Sequence, residues 1–324
     1  MLNRRLLRIK VFKVLFAKIA SGSYTFDSAR NELLESCAKT RDLYFFILNG
    51  GLALRRYAED KIEGGLKKYY PTEEEANPNR RFIELKFFKD LMEDPFFSDY
   101  CDKKGLIWTD DQVLLIRSMY KSMIQSEYYM QFMNAESVTA EDEVRFLKEM
   151  YVSLFEDNNQ FDELLEDMSP LWVDDVCYVL MTLVKNMNRY AEKGEIVIPN
   201  TFSDEKIAEK DRSFPDSDQE FAVKLLSTCM VKREEVSEAI KAEVSNWDKE
   251  RLNMSDILLI VMGLVEAETF SYIPVKVSIN EYVEISKFYS SKNSKTFVNG
   301  ILDKLIKKYL EEGKIIKTGK GLIN

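Results

Sequence analysis

Residues 274–309 read PVKVSINEYVEISKFYSSKNSKTFVNGILDKLIKKY, and their pattern decides the fold class. Ser278 and Glu281 stand at the S-x-x-E spacing of a reciprocal helix cap, in which each side chain takes up the other residue's unpaired backbone N–H. Ile279, Val283 and Ile285 then supply an apolar stripe. A polar loop, Ser290 to Ser294, ends that helix and offers side-chain oxygens to cap the next. In the second helix Phe297, Val298, Ile301, Leu302, Leu305 and Tyr309 recur every three or four residues, which gives one wet and one buried face. Gly300 lies inside that pattern. Glycine in a helix interior costs about 1 kcal/mol relative to alanine, so the sequence predicts a backbone packed closely against it. The stretch reads as a helical hairpin of an all-α protein.

Working outward, residues 257–264 are apolar nearly all round, the mark of a helix central to its bundle, and Asn253 or Ser255 is placed to cap it. Residues 4–20, RRLLRIKVFKVLFAKIA, form an amphipathic first helix with Leu7, Val11, Val14, Leu15 and Ile19 on its buried stripe. Arg4 and Arg8 share that azimuth, which predicts that the first turn overhangs the core. Cations at a helix N-terminus oppose its dipole, and arginine's fork matches phosphate oxygens, so this turn reads as an anion-binding end. An Arg-rich, acid-free start also suits a transit peptide or a secretory signal. Lys13 and Lys18 break the apolar run that a secretory signal needs.

Between these ends the sequence predicts helices over residues 26–39, 41–69, 82–91, 109–132, 140–155, 157–166 and 173–193. Breaks fall at Pro71, Pro78, Asp94-Pro95, Lys104-Gly105, Ser169-Pro170 and Lys193-Gly194, with N-caps at Thr109 and Thr139. Phe146 and Trp172 repeat the spacing of Phe221 and Trp247, so this stretch is either a diverged duplicate bundle or an ordinary aromatic core. Residues 194–218, bounded by Pro199 and Pro215, read as a polar seam. Trp247 is expected to plug the turn after helices beginning at Phe221 and Val231. The last residues, 313–324, read as a fraying basic tail.

The chain has 324 residues, 45% hydrophobic and 31% charged, enough for two cores. It has no apolar run near the length of a membrane span. Histidine is absent, and Cys37, Cys101, Cys177 and Cys229 form no C-x-x-C pair. That removes His-based nucleophile pairs and zinc-site spacing, and the cysteines read as reduced thiols of a cytoplasmic protein. No glycine-rich phosphate loop is present, so no catalytic residue, metal or cofactor is indicated. The net charge is −9, yet residues 1–22 carry six cations and no acid, and residues 270–324 carry ten lysines against five acids. An acidic body with two basic ends admits a polyanion only at those ends.

Asn280-Glu281, Phe297-Val298-Asn299-Gly300 and Asp303 resemble the C-terminal signature of the NusB family of bacterial transcription antitermination factors. Residues 257–266 and 274–277 resemble the preceding family helix and its exit turn, and Arg4-Arg5, Arg8 and Leu15-Phe16 resemble its first helix. The resemblance implies an all-α fold of NusB-like helical bundles with an additional inserted helical domain. Residues 1–24 would be the first helix, 25–215 the insertion ending in the 194–218 linker, 219–312 the C-terminal bundle and 313–324 the tail.

It further implies a factor that pairs with NusE, the small-subunit ribosomal protein, binds boxA-type single-stranded RNA of ribosomal operons, and joins RNA polymerase to resist termination. Arg4, Arg5, Arg8, Lys292, Asn293, Lys295, Phe297 and Asn299 fall at the implied RNA positions, and Phe16 and Asp256 at the implied NusE contact. Asn299 is equally suited to a helix–helix hydrogen bond beside Gly300. Val261, Val265 and Thr296 depart from the family pattern, so that surface differs. Two alternatives stay open: a helical scaffold without RNA binding, and a component of an rRNA-modifying enzyme.

Overall fold

A computed structural model of the protein describes residues 1–22, 25–202, 217–244 and 253–322. Among the described residues it is all-α, with fourteen α-helices and no strand. A strand-rich nucleotide-binding fold has no counterpart among them. The chain forms two compact units, Met1–Cys37 with Phe202–Asn324, and Ala38–Thr201. Pro215 and most of the expected linker lie outside the described residues, as does Trp247.

Helix α1, Arg4–Ser21, starts where the Asn3 side chain accepts from the Leu6 N–H at 2.8 Å, and stops at Gly22 in the left-handed region. Helix α2, Phe26–Leu66, runs unbroken where two helices were expected. Lys39-Thr40-Arg41 contains neither proline nor glycine, and Thr40 is buried with its hydroxyl donated to Asp175, so nothing there stops a helix.

The second unit gathers around the later part of α2. It adds α3 (Glu73–Ala76), α4 (Lys86–Glu93), α5 (Pro95–Lys104), α6 (Val113–Ile124), α7 (Glu127–Asn134), α8 (Ala140–Phe155), α9 (Asn159–Met168) and α10 (Val176–Lys193). Thr139 forms a full capping box with Asp142 at the head of α8. Asp94-Pro95, expected only as a break, also starts α5, because Asp94 caps it and proline fits the first helical position. The expected helix over 109–132 is split at Ser126, whose hydroxyl accepts from Tyr129 and begins α7.

The core of this unit is aromatic. Phe46 stacks on Trp108 and Trp172 with centroids 4.8 and 5.5 Å away. Each indole N–H donates to an α2 carbonyl, Phe46 at 2.9 Å and Lys39 at 2.8 Å, as buried tryptophans require. Gly50 and Gly51 are where backbone approach is tight, since a methyl group on Gly51 would lie 2.0 Å from the Tyr151 hydroxyl.

The first unit is completed by α11 (Asp218–Val244), α12 (Met254–Thr269), α13 (Val275–Tyr289) and α14 (Ser294–Glu311). Helix α12, capped by Asn253, is the centre: it packs against α1, α11, α13 and α14 and is buried from Leu258 to Ala267. Each fully buried aliphatic side chain there contributes about 1.5–3 kcal/mol. Gly263 on α12 admits Leu302, which would stand 2.8 Å from an added methyl group.

Several expectations fail in this unit. Helix α11 runs unbroken from Asp218 to Val244 where separate helices were expected to begin at Phe221 and Val231, there being no proline or glycine between them. Gly300 faces open space, with no heavy atom within 4 Å of an added methyl group. Ser278 does not cap α13, which starts a turn earlier after Pro274; its hydroxyl is buried and donates to Glu266. The tail does not fray as far as residue 322. Lys317 donates to the Ala267 and Phe270 carbonyls at 2.6 and 3.0 Å, and Gly321 lies against the Ser271 carbonyl. Burial pushes the Lys317 ammonium pKa down to about 8.

Candidate nucleic-acid interface

Arg4 and Arg8 lie one turn apart on one face of α1 and Arg5 stands beside Arg4, and each of the three meets an acid of another helix. Arg8 is buried. Its Nε and Nη2 donate to the two carboxylate oxygens of Glu266 at 2.7 and 2.8 Å, and Glu266 also accepts from the Ser278 and Tyr282 hydroxyls at 2.8 Å each. Burial alone would push the Glu266 pKa up. The Arg8 charge and these four hydrogen bonds outweigh it and hold the carboxyl below the usual carboxylate range. Arg8 is therefore a core clamp between α1 and α12 and not the exposed phosphate ligand expected from its position. Its azimuth on the apolar stripe is explained by a buried partner acid, not by an overhanging turn.

Arg4 pairs with Asp218 at 2.9 Å and lies over the Phe221 ring at 4.2 Å, with Tyr272 Oη at 3.4 Å. Its side chain is mostly covered. Arg5 makes a fork to Glu281 at 2.9 and 2.7 Å and keeps 44% of its side-chain surface exposed. Of the three it is the one that faces solvent.

At the other end of the chain, the loop between α13 and α14 is fixed from beneath. Asp256 is buried and accepts from the Ser290 and Ser294 hydroxyls at 2.6 and 2.9 Å, while Asn253 donates to Ser290 at 3.0 Å. The serines thus hold Asp256, and Asn293 makes no capping bond from its side chain. Asp256, expected to face a protein partner, is spent inside the chain.

Above this base, Lys292, Asn293, Lys295 and Asn299 are exposed and Phe297 is half-buried. Neither Lys292 nor Lys295 has an ion-pair partner within 4 Å among the described residues. Asn299 stands on the solvent face of α14, away from a helix–helix contact. Phe16 is half-buried against Phe12, ring centroids 5.9 Å apart, and Phe12 in turn touches Tyr289 at 5.5 Å.

Glu284 on α13 is held below its usual range by the Lys287 hydrogen bond first, then by the charges of Lys287, Arg5 and Lys295. Arg5 forks onto Glu281, one turn before Glu284 on the same helix, and Lys295 stands in the first turn of the helix that follows. The N-terminus of α14, whose first-turn amides carry partial positive charge, lies beside Lys292 and Lys295 and is suited to a phosphate.

Sequence reasoning missed Glu266. A signal was available: it is a lone acid in the apolar run of α12, and Arg8 is a cation on the apolar stripe of α1. No group of three His, Cys, Asp or Glu side chains is placed to hold a metal among the described residues. The four cysteines are free thiols. Burial pushes Cys101 up to about 12 and Cys229 further in the same direction, so these two stay protonated and poorly nucleophilic.

A model of the NusB family matches residues 178–307. The transcription antitermination protein NusB of Salinibacter ruber is 37% identical over 107 residues, covering 33% of this chain and 67% of the relative. That of Clostridium botulinum strain Kyoto is 36% identical over 107 residues, covering 32% of this chain and 75% of the relative. The chain belongs to the NusB family.

The NusB match begins in α10 and ends in α14, earlier at its start than the Phe221 boundary read from the signature residues. It takes in Asp256, Glu266, Glu281, Lys292, Lys295, Phe297 and Asn299. Residues 1–177, with the α1 arginines and most of the second unit, lie outside the span matched to the NusB family. No solved structure matches the chain.

Proposed function

We propose that the protein is a transcription antitermination factor that binds boxA-type single-stranded RNA of ribosomal operons together with NusE, and joins RNA polymerase to resist termination. It acts in the cytoplasm by binding, without catalysis. The observation that carries this reading is the exposed pair Lys292 and Lys295 at the α14 N-terminus, in the same unit as the solvent-facing Arg5 that Glu281 of α13 holds. An RNA backbone needs cations spaced along a track, and exposed bases need hydrogen-bonding or stacking groups next to it. Asn293 and Asn299 offer the paired donor and acceptor that read a base edge, and half-exposed Phe297 offers a ring.

In this reading Arg5, Lys292, Asn293, Lys295, Phe297 and Asn299 touch RNA, Arg4 borders the track, and Arg8 supports α1 from within. Phe16, braced by Phe12, faces NusE, and Asp256 acts on that contact only by fixing the loop.

A helical scaffold without RNA binding is the second reading, and one observation favours it. Each α1 arginine is already matched by an acid, Asp218, Glu281 or Glu266. The two readings separate in a gel-shift series with the full chain, using boxA RNA and a scrambled strand, with and without NusE. Binding that prefers boxA, tightens with NusE and weakens as salt rises is the expected result. Failure to shift either RNA at low salt with NusE present would leave the scaffold.

A further inference from the structure

Phe288, on the last turn of α13, is a large apolar side chain left 80% exposed. Burying it elsewhere on this helix would have been easy, since Tyr282, Val283 and Ile285 all point inward. Cations lie near it, Lys287 paired with Glu284 at 2.6 Å and Lys292 exposed in the loop beyond. Phe288 follows Lys287, lies one turn beyond Glu284 on the same face of the helix, and precedes the loop that carries Lys292. Arg5 forks onto Glu281 at 2.9 and 2.7 Å, two turns before Phe288 on the same face of α13, and Lys295 lies in the first turn of α14. By contrast, the more exposed Tyr69 and Tyr70 of the second unit pack edge to face on each other, and the lysines before them, Lys67 and Lys68, are paired with Glu63 and Glu75.

We propose that Phe288 is a stacking platform for an unpaired base of single-stranded RNA whose phosphates run past Lys292, Lys295 and Arg5. The proposal rests on the RNA reading and adds a residue to it. A flat apolar ring beside a row of cations matches the two faces of a nucleotide, one aromatic and one anionic, better than it matches an apolar protein surface or a polyanion without bases. Stacking is indifferent to base identity, so Phe288 adds affinity more than sequence preference, and its contribution does not depend on salt.

The test uses the full chain with three oligonucleotides: a boxA-type RNA, a scrambled strand, and the boxA strand with abasic sites. Phe288→Ala should weaken binding of the two base-bearing strands roughly tenfold, leave the abasic strand nearly unaffected, and leave the salt slope unchanged. Phe288→Trp should keep the affinity, and its emission should quench on titration with RNA. Because the ring is exposed, these substitutions should leave thermal unfolding unchanged. Wild-type affinity in the alanine variant would overturn the stacking role while leaving RNA binding intact. A loss confined to NusE, with RNA affinity retained, would make the ring a protein contact and overturn it too. If the wild type binds none of the strands, both this inference and the RNA reading fail together.

Discussion

Replacing Arg8 with alanine is expected to destabilise the first unit by about 3–5 kcal/mol, the usual consequence of removing one partner from a buried ion pair. Glu266 would remain fully buried with only the Ser278 and Tyr282 hydroxyls for company. Amide exchange along α12 reads this directly, since α12 is the helix that loses its clamp. Replacing both charges, with Arg8→Met and Glu266→Leu together, should recover most of the loss, because two apolar side chains leave no orphaned charge.

The pH dependence has a fixed sign. Glu266 titrates below its usual range in the folded protein, so its contribution is complete above the unfolded carboxylate pKa and fades as pH falls through the folded one. Without Arg8, burial dominates and the carboxyl moves upward. The variant then regains relative stability as it takes up a proton, so its deficit should be largest at neutral pH and smaller in acid. Wild-type protection of α12 in the single variant would show that Arg8 is not a clamp.

Reversing two charges, Lys292→Glu with Lys295→Glu, is expected to lower RNA affinity about 100-fold at moderate salt while the melting temperature stays put. Both lysines are exposed and neither is part of an ion pair within 4 Å among the described residues, so the fold loses no ion pair. Each lost phosphate contact should also flatten the plot of log affinity against log salt by about 0.7 for a single strand. Fluorescence anisotropy over a salt series measures both effects. Unchanged affinity and slope would place the RNA elsewhere. Arg8 should behave differently: whatever binding Arg8→Ala loses should follow the unfolded fraction, with no change in slope.

The helices were largely legible in the sequence because their signals are local. Thr139 with Asp142 and Asn253 with Asp256 are caps readable from a few residues, and the apolar run of α12 marks its burial unaided. What escaped depends on distant partners. Gly300 and Gly51 look alike as helical glycines, yet only the latter has an aromatic side chain, Tyr151, across from it. Ser278 fits a capping box and serves instead as a donor to Glu266, a residue of another helix.

The exposure of the candidate residues was legible only in part. The loop lysines and asparagines are exposed where the hairpin pattern places them. The arginines could not be sorted by sequence into Arg8 inside, Arg4 partly covered and Arg5 outside, since that order is set by Glu266, Asp218 and Glu281 on three other helices.

The measurement closest to the central claim is photo-crosslinking of the full chain to boxA-type RNA carrying 4-thiouridine, with the attachment sites mapped by mass spectrometry. If one face built from both ends of the chain holds the strand, crosslinks should fall in the peptide that contains Arg5 and in peptides spanning 287–299, and both sets should fade together as salt rises. Crosslinks confined to residues 38–201, or to only one of the two ends, would contradict it.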